Sequence, residues 1–382
     1  NIKFKKVLLQ NAQRSPDILW NELLSWLFVQ QKQFKSAFNQ EKAIYKRGGE
    51  TSLQRLQGLG KMAMEEQDVD TAKEVFVYIS ENSTDAVVAL DAQLNLIELD
   101  LLEADDKVLD KVQKKFDDLL GVYGYEMETL QLQIAYAKFL TFNKNNPEPA
   151  IGILRQCLEL PLNNYSKSYI KSTLGDILVY DRQFNQALIY FSQIQKDLKN
   201  DVLGQDARFK VAQTSFYKGD FDWALTQLKI LRGSTSQLIA NDAMQLSLLI
   251  SDNSLEDSTQ TALKKYARAD FLAYQNKKKD AVELLEDILQ NHKGEKIEDE
   301  ALLKQAQILI ELKDYEKAEF NYLKIVEFYA NDILADDANF ALAELYRNIL
   351  EQPEKAKAHY EKIIYNYQDS YFFPLARRNF RM

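Results

Sequence analysis

The feature that most constrains this chain is a recurring alanine. It stands three residues after an aromatic or turn-forming residue at Phe34/Ala37, Val69/Ala72, Pro147/Ala150, Phe184/Ala187, Phe221/Ala224, Lys278/Ala281, Tyr315/Ala318 and Pro353/Ala356. The intervals are 35 residues from Ala37 to Ala72, 37 from Ala150 to Ala187, 37 from Ala187 to Ala224, 37 from Ala281 to Ala318 and 38 from Ala318 to Ala356. A unit of this size cannot bury its apolar face alone, so successive units must stack into one continuous core.

Each unit divides into two amphipathic stretches with apolar residues three and four apart, the period of a helix. Phe209, Ala212 and Phe216, then Phe221, Leu225, Leu228 and Leu231, show it most clearly. Between them Gly219 is placed to end the first helix, and Asp220 to cap the second. The small alanine lets the two helices approach closely. About nine such helix-turn-helix units fit the chain.

The spacing fails in two places. Between Ala72 and Ala150 the repeat is degenerate over 73–150, with Ala104 as the best anchor and longer or offset helices expected around Asp105, Asp106, Asp117 and Asp118. From Ala224 to Ala281 the gap is 57 residues. An extra helix from Gln237 to Ile250, followed by a connection from Ser251 to Ser258, fills it. The expected organisation is therefore an N-terminal array at 1–236, an extra helix and possible bend at 237–258, and a C-terminal array at 259–382. Counting one period back from Ala37 puts the preceding anchor before Asn1, with Phe4 and Val7 on apolar positions of a second helix. The sequence thus reads as starting mid-repeat, with any signal peptide, lipid anchor or further domain lying upstream.

The units resemble tetratricopeptide repeats. Leu59-Gly60 with Ala72, Phe76 and Ile79, and Leu174-Gly175 with Ala187, Phe191 and Ile194, match that family's pattern well. Ala306, Leu309, Ala318, Tyr322 and Ile325 agree again, while Val211, Ala212, Ala224, Leu228 and Leu231 match more loosely. The resemblance implies an all-α fold, a right-handed α-solenoid of tandem helix-turn-helix repeats, that works by binding other proteins. The segment from Tyr365 to Arg378, with Pro374 and Ala376, resembles the inter-repeat stretch of bacterial envelope proteins of this family, the outer-membrane-assembly lipoproteins and the Tol-associated coordinator. Gln368 stands where those have Pro. This resemblance implies a bacterial periplasm or cell envelope, with the cytoplasm as the alternative.

Composition narrows the function. A net charge of −9 opposes a nucleic-acid surface, which needs a dense Lys/Arg face. The run Lys277 to Lys279 falls at an inter-helix turn. No stretch reaches the roughly 18 apolar residues of a membrane span; the best, Val87 to Leu102, is broken by Asp91, Glu98 and Asp100. The single cysteine, Cys157, excludes an internal disulfide and falls on a core position where burial makes a thiol inert. His292 and His359 lie nearly two repeats apart, too far to share a metal, and read as surface residues of helices. Gly58 and Gly60 lie inside a helical pattern, so they form no phosphate loop. Asp336-Asp337 and Glu65-Glu66 point about 100° apart on a helix and form no shared acid site. No catalytic residue, metal or cofactor is expected.

What remains is the concave groove of the array, which the resemblance assigns to first-helix positions 18, 15, 11 and 7 residues before the anchor alanine. For Ala187 these are Tyr169, Ser172, Asp176 and Tyr180; for Ala224, Asp206, Phe209, Gln213 and Tyr217; for Ala281, Leu263, Tyr266, Asp270 and Tyr274. Tyrosine recurs at the last position, a ladder able either to hold a peptide or to pack between repeats. The lysines, arginines and asparagines of the family's peptide-carboxylate clamp are replaced here by acidic and aromatic residues. The expected function is a non-enzymatic scaffold or adaptor in an envelope assembly or secretion complex, holding a protein or peptide partner in this groove. Its rivals are a helical nutrient-binding protein, whose Trp- and Asn-bearing loops this chain lacks, and the regulatory repeats of a longer protein.

Overall fold

A computed structural model describes residues 2–14, 17–48, 53–102, 104–234, 236–254 and 260–381. Among these residues every regular element is a helix. The chain divides into two compact units, 1–162 and 163–382.

The first unit holds α1 (Ile2–Arg14), α2 (Ile18–Gln30), α3 (Phe34–Gly48), α4 (Leu53–Glu65), α5 (Val69–Asn82), α6 (Ala86–Leu101), α7 (Asp106–Tyr123), α8 (Leu130–Phe142) and α9 (Pro147–Leu158). The second holds α10 (Asn164–Tyr180), α11 (Phe184–Asp197), α12 (Val202–Lys218), α13 (Phe221–Leu231), α14 (Gln237–Ser254), α15 (Thr261–Tyr274), α16 (Lys278–Asn291), α17 (Ile297–Glu311), α18 (Tyr315–Phe328), α19 (Ala335–Asn348), α20 (Pro353–Asn366) and α21 (Phe373–Phe380). Consecutive helices pair as α2/α3, α4/α5, α6/α7 and α8/α9, then α10/α11, α12/α13, α15/α16, α17/α18 and α19/α20, which makes nine hairpins among the described residues. The fold is an all-α solenoid of helical hairpins, as the period requires.

The anchor alanines explain the hairpin. All eight are essentially without solvent contact. Five residues before each one the backbone enters the left-handed region, at Lys32, Gln67, Asn145, Arg182, Gly219, Asn276, Lys313 and Glu351, with φ between 52° and 83°. The next N–H then bonds back to a carbonyl of the preceding helix, as in Gln33 to Phe28 at 2.8 Å, Asp220 to Ser215 at 2.9 Å and Asp314 to Leu309 at 2.9 Å. This closure satisfies carbonyls that the helix end leaves open, and reverses the chain in three residues. Gly219 ends α12 as expected. Asp220 occupies the N-cap of α13 but makes no side-chain cap; its carboxylate pairs with Lys218 at 3.0 Å instead.

Ala104 is not an anchor. It lies in the link after α6, one residue before Asp105, whose side chain caps α7 by accepting from the Val108 N–H at 2.8 Å. The residue four after this cap, where other hairpins have alanine, is Leu109, 37 residues after Ala72, and α7, at 18 residues, is longer than the other second helices. A larger anchor and a longer second helix blur the repeat there. In α1 the core residue is Leu8; Phe4 and Val7 are exposed.

The extra helix is present as α14, extending to Ser254, and packs on α12, α13 and α17 within the second unit. Of the connection expected from Ser251 to Ser258, the first four residues are helical and 255–258 lie outside the described residues. Pro374 stands in the first turn of α21, where Ala376 is buried.

Candidate functional site

The first helices α12, α15 and α17, the start of α19 and the inserted α14 surround an open groove of about 480 Å³. Phe209 and Gln213 from α12, with Tyr266 and Asp270 from α15, line it, so four of the predicted groove residues meet at one site. Phe216, Leu246, Leu249 and Leu303 supply its apolar surface. The polar lining is strongly biased: among the described residues Asp242, Asp252, Asp270, Glu300 and Asp337 stand against one basic residue, Lys304, which pairs with Asp270 at 2.5 Å. The α14 and α17 contributions escaped the sequence reading. The 57-residue gap announced α14, but no period says which face an inserted helix covers.

Crowding carboxylates in this partly dry site raises their affinity for protons. Burial, then the neighbouring Asp299, pushes the Glu300 carboxyl well above the carboxylate range; its Oε2 is buried without a hydrogen-bond partner, and its Oε1 accepts from Asn253 at 3.3 Å. Burial, then Asp336, lifts Asp337 to about 6. Asp242 is raised by burial and then by Asp206.

The remaining predicted residues fall elsewhere. Tyr180, Tyr217 and Tyr274 gather into an aromatic cluster with Phe271, ring centroids 5.2 to 6.4 Å apart. Tyr180 is 4% exposed, and Tyr217 is kept protonated by burial and then by the charge of Asp270. Asp176 holds Lys210 at 2.7 Å, with Asp206 at 3.5 Å from the same ammonium. Burial would lower Lys210, but the two carboxylates outweigh it and raise the ammonium's pKa. Tyr169, one helical turn from Thr173 in α10, is 37% exposed and does not line the groove.

The residues considered for chemistry sit as structural groups. Cys157 is buried, donates to Gln133 Oε1 at 3.0 Å, and is pushed by burial to about 11. His359 is buried rather than on the surface: it stacks on Tyr346, its Nδ1 lies 2.9 Å from Asn339 Oδ1, and burial, then Lys362, lowers it to about 4. His292 caps the end of α16 with Nδ1 3.0 Å from Glu295. Gly58 and Gly60 both lie within α4. Among the described residues, no group of three or more His, Cys, Asp or Glu side chains is placed to hold a metal ion, and no helix is long and apolar enough to cross a membrane.

Fold and site together define a helical-hairpin repeat protein with a groove on its first-helix layer. Residues 300–332 and 337–370, which are α17/α18 and α19/α20, match the family model of the tetratricopeptide repeat. Of the other seven hairpins, six carry the same anchor alanine and left-handed turn, and α6/α7 has Leu109 at the anchor place. No curated protein matches the sequence. Solved structures similar to the chain include the human IFIT1 dimer with m7Gppp-AAAA, 17% identical over 99% of this chain and 84% of that one, TM-score 0.35. Another is the P58(IPK) TPR domain, 13% identical over 96% of each chain, TM-score 0.27. Likeness at this level carries no inference about ligand.

Proposed function

We propose that this chain is a non-enzymatic scaffold that docks a protein segment in the groove between α12, α14, α15, α17 and α19, and that the segment is cationic with apolar side chains. The observation that carries this is the lining itself: an apolar floor edged by five carboxylates and one lysine. Low local dielectric strengthens the attraction of such a ring for Lys and Arg side chains, while the preformed helices leave little ordering cost to the receptor. Tetratricopeptide repeats at 300–370 support a role in protein interaction.

The test is a photo-crosslinking amino acid at Gln245 in the full chain, expressed in the native organism, with the captured peptide sequenced. A basic, apolar-bearing segment, lost when Asp242 and Asp252 are changed to lysine, is the expected result. Crosslinking that is undiminished by those changes overturns the reading.

We also assign the scaffold to a bacterial envelope assembly or secretion complex. The support is the resemblance of Tyr365 to Arg378, whose Pro374 opens α21, to envelope repeat proteins. Fractionation of the native organism tests it: recovery in the cytosol alone rules it out.

A further inference from the structure

A second depression lies where α11, α12 and α13 meet, on the flank of α12 turned away from the groove. It encloses about 350 Å³, and its lining includes Lys196, Lys199, Arg208, Trp223 and Gln227. Among the described residues three cations and no carboxylate line it, in a chain whose net charge is −9. The Arg208 guanidinium is held in place by the Gln195 amide, whose oxygen accepts from Nη2 at 2.6 Å and Nε at 3.3 Å.

Two further observations point to a ligand. Trp223 is 53% exposed, and Ile189, in an adjoining shallow depression that shares Ser192 and Lys196, is 58% exposed. Together they offer apolar surface on either side of the cationic hollow, which an apolar side chain of a ligand can cover. Gln227, in contrast, is only 6% exposed, and its Oε1 is buried without any hydrogen-bond partner. A buried amide oxygen left unpaired calls for a donor. Gln227 is itself one of the residues that line the depression.

We propose that this face docks an acidic peptide segment of a partner protein, bearing a bulky apolar side chain. The apolar group packs on Trp223 and Ile189, its carboxylates meet Lys196, Lys199 and Arg208, and a backbone N–H bonds Gln227 Oε1. A nucleic-acid strand fits less well: the three cations are confined to one hollow of an acidic chain, which matches a short run of carboxylates and repels the continuous charge of a polyanion beyond it. The surface is separate from the groove, so the chain holds two segments of opposite charge on two flanks of one helix.

The test uses the full chain with Trp20 and Trp26 changed to Phe, which leaves Trp223 as the only indole. Its fluorescence is titrated with a short synthetic peptide alternating Glu and Asp with Leu and Phe, with the Gln/Asn version of that peptide, and with oligothymidylate. The acidic peptide should give a saturable shift, at least about tenfold tighter than the amide version and weakened by salt. Lys196→Gln with Lys199→Gln should weaken it about tenfold without lowering the thermal midpoint, and Gln227→Leu should weaken it less. Absence of a saturable shift, equal binding of the amide peptide, undiminished binding by the lysine variant, or tighter binding of oligothymidylate each overturns the proposal.

Discussion

The Tyr274 phenol donates a 2.9 Å hydrogen bond to the backbone carbonyl of Asp176, 98 residues earlier in the chain. Beside it, the Tyr180 phenol reaches the Gln275 carbonyl at 3.4 Å and Gln275 Nε2 donates to the Tyr180 carbonyl at 2.6 Å. These bonds tie the C-terminal ends of α10 and α15 directly, although the α12/α13 hairpin and α14 intervene in sequence. The tyrosines therefore fasten one first helix to the next but one. Tyr274→Phe should lower stability by about 1 kcal/mol through the lost bond, and Tyr274→Ala by about 3 kcal/mol through the emptied aromatic cluster. Urea midpoints of the full chain check this; a Phe variant as stable as the parent means that the bond contributes nothing.

The hairpin turns predict gains as well as losses. Lys313 holds φ at 63° and Asn276 at 58°, in a region that costs a side chain bearing Cβ about 1 kcal/mol, less for asparagine. Lys313→Gly should stabilise by about 0.5–1 kcal/mol and Asn276→Gly by less, whereas Gly219→Val should destabilise by at least about 1 kcal/mol. Thermal midpoints of the three variants must fall in that order for the turn geometry to stand.

Two glycines differ in what faces them. A methyl group on Gly204 would meet the Leu198 carbonyl oxygen at 2.0 Å; on Gly175 it would meet the Phe191 ring at 2.4 Å. A ring can tilt, but a backbone carbonyl between two helices cannot withdraw without moving both. Gly204→Ala should cost about 3 kcal/mol or more and Gly175→Ala about 1–3 kcal/mol. The reverse order in urea unfolding would contradict this packing.

These turns also show what was legible in the sequence. The alanines could be read because a small side chain lets two helices approach closely, so in eight of the nine hairpins the residue type follows from the geometry. The left-handed turn residue could not, since Lys, Gln, Asn, Arg and Glu fill seven of the eight such turns and glycine only the one at 219. Ala104 has the anchor's residue type but precedes the cap of α7, and Leu109 holds the anchor's place. Phe209, Gln213, Tyr266 and Asp270 were placed on the first-helix face by the family resemblance together with the register, and these four line one groove. Whether Tyr180, Tyr217 and Tyr274 face the open or pack depends on how closely α10 approaches α15, a curvature that no period encodes. Trp223 was absorbed into its anchor motif, and only its exposure sets it apart.

Burial of His359 gives an acid limb to stability. An imidazole ordinarily near 6.5 stands at about 4 in the fold, so between these values the unfolded chain binds a proton that the folded chain excludes. Stability is then full above pH 6.5 and is lost as pH falls toward 4, by about 1–3 kcal/mol. His359→Gln should flatten this limb, seen as a smaller drop in urea midpoint from pH 7 to pH 4.5.

Glu300 works in the opposite sense. Its carboxyl, raised by burial and by Asp299, keeps its proton in the fold at pH values where the unfolded chain has released it, so stability falls as pH rises above the ordinary carboxylate range. Glu300→Gln presents the same shape without a charge to desolvate. It should leave stability unchanged near pH 4 and raise it by about 1–3 kcal/mol at pH 8. A cationic segment in the groove reverses the preference, because it favours the ionised form. Binding of such a segment should release a proton from the parent chain near neutral pH and none from the Gln variant, a difference read by calorimetry in buffers of unequal ionisation enthalpy. Equal proton release from both chains would mean that the occupant does not reach Glu300.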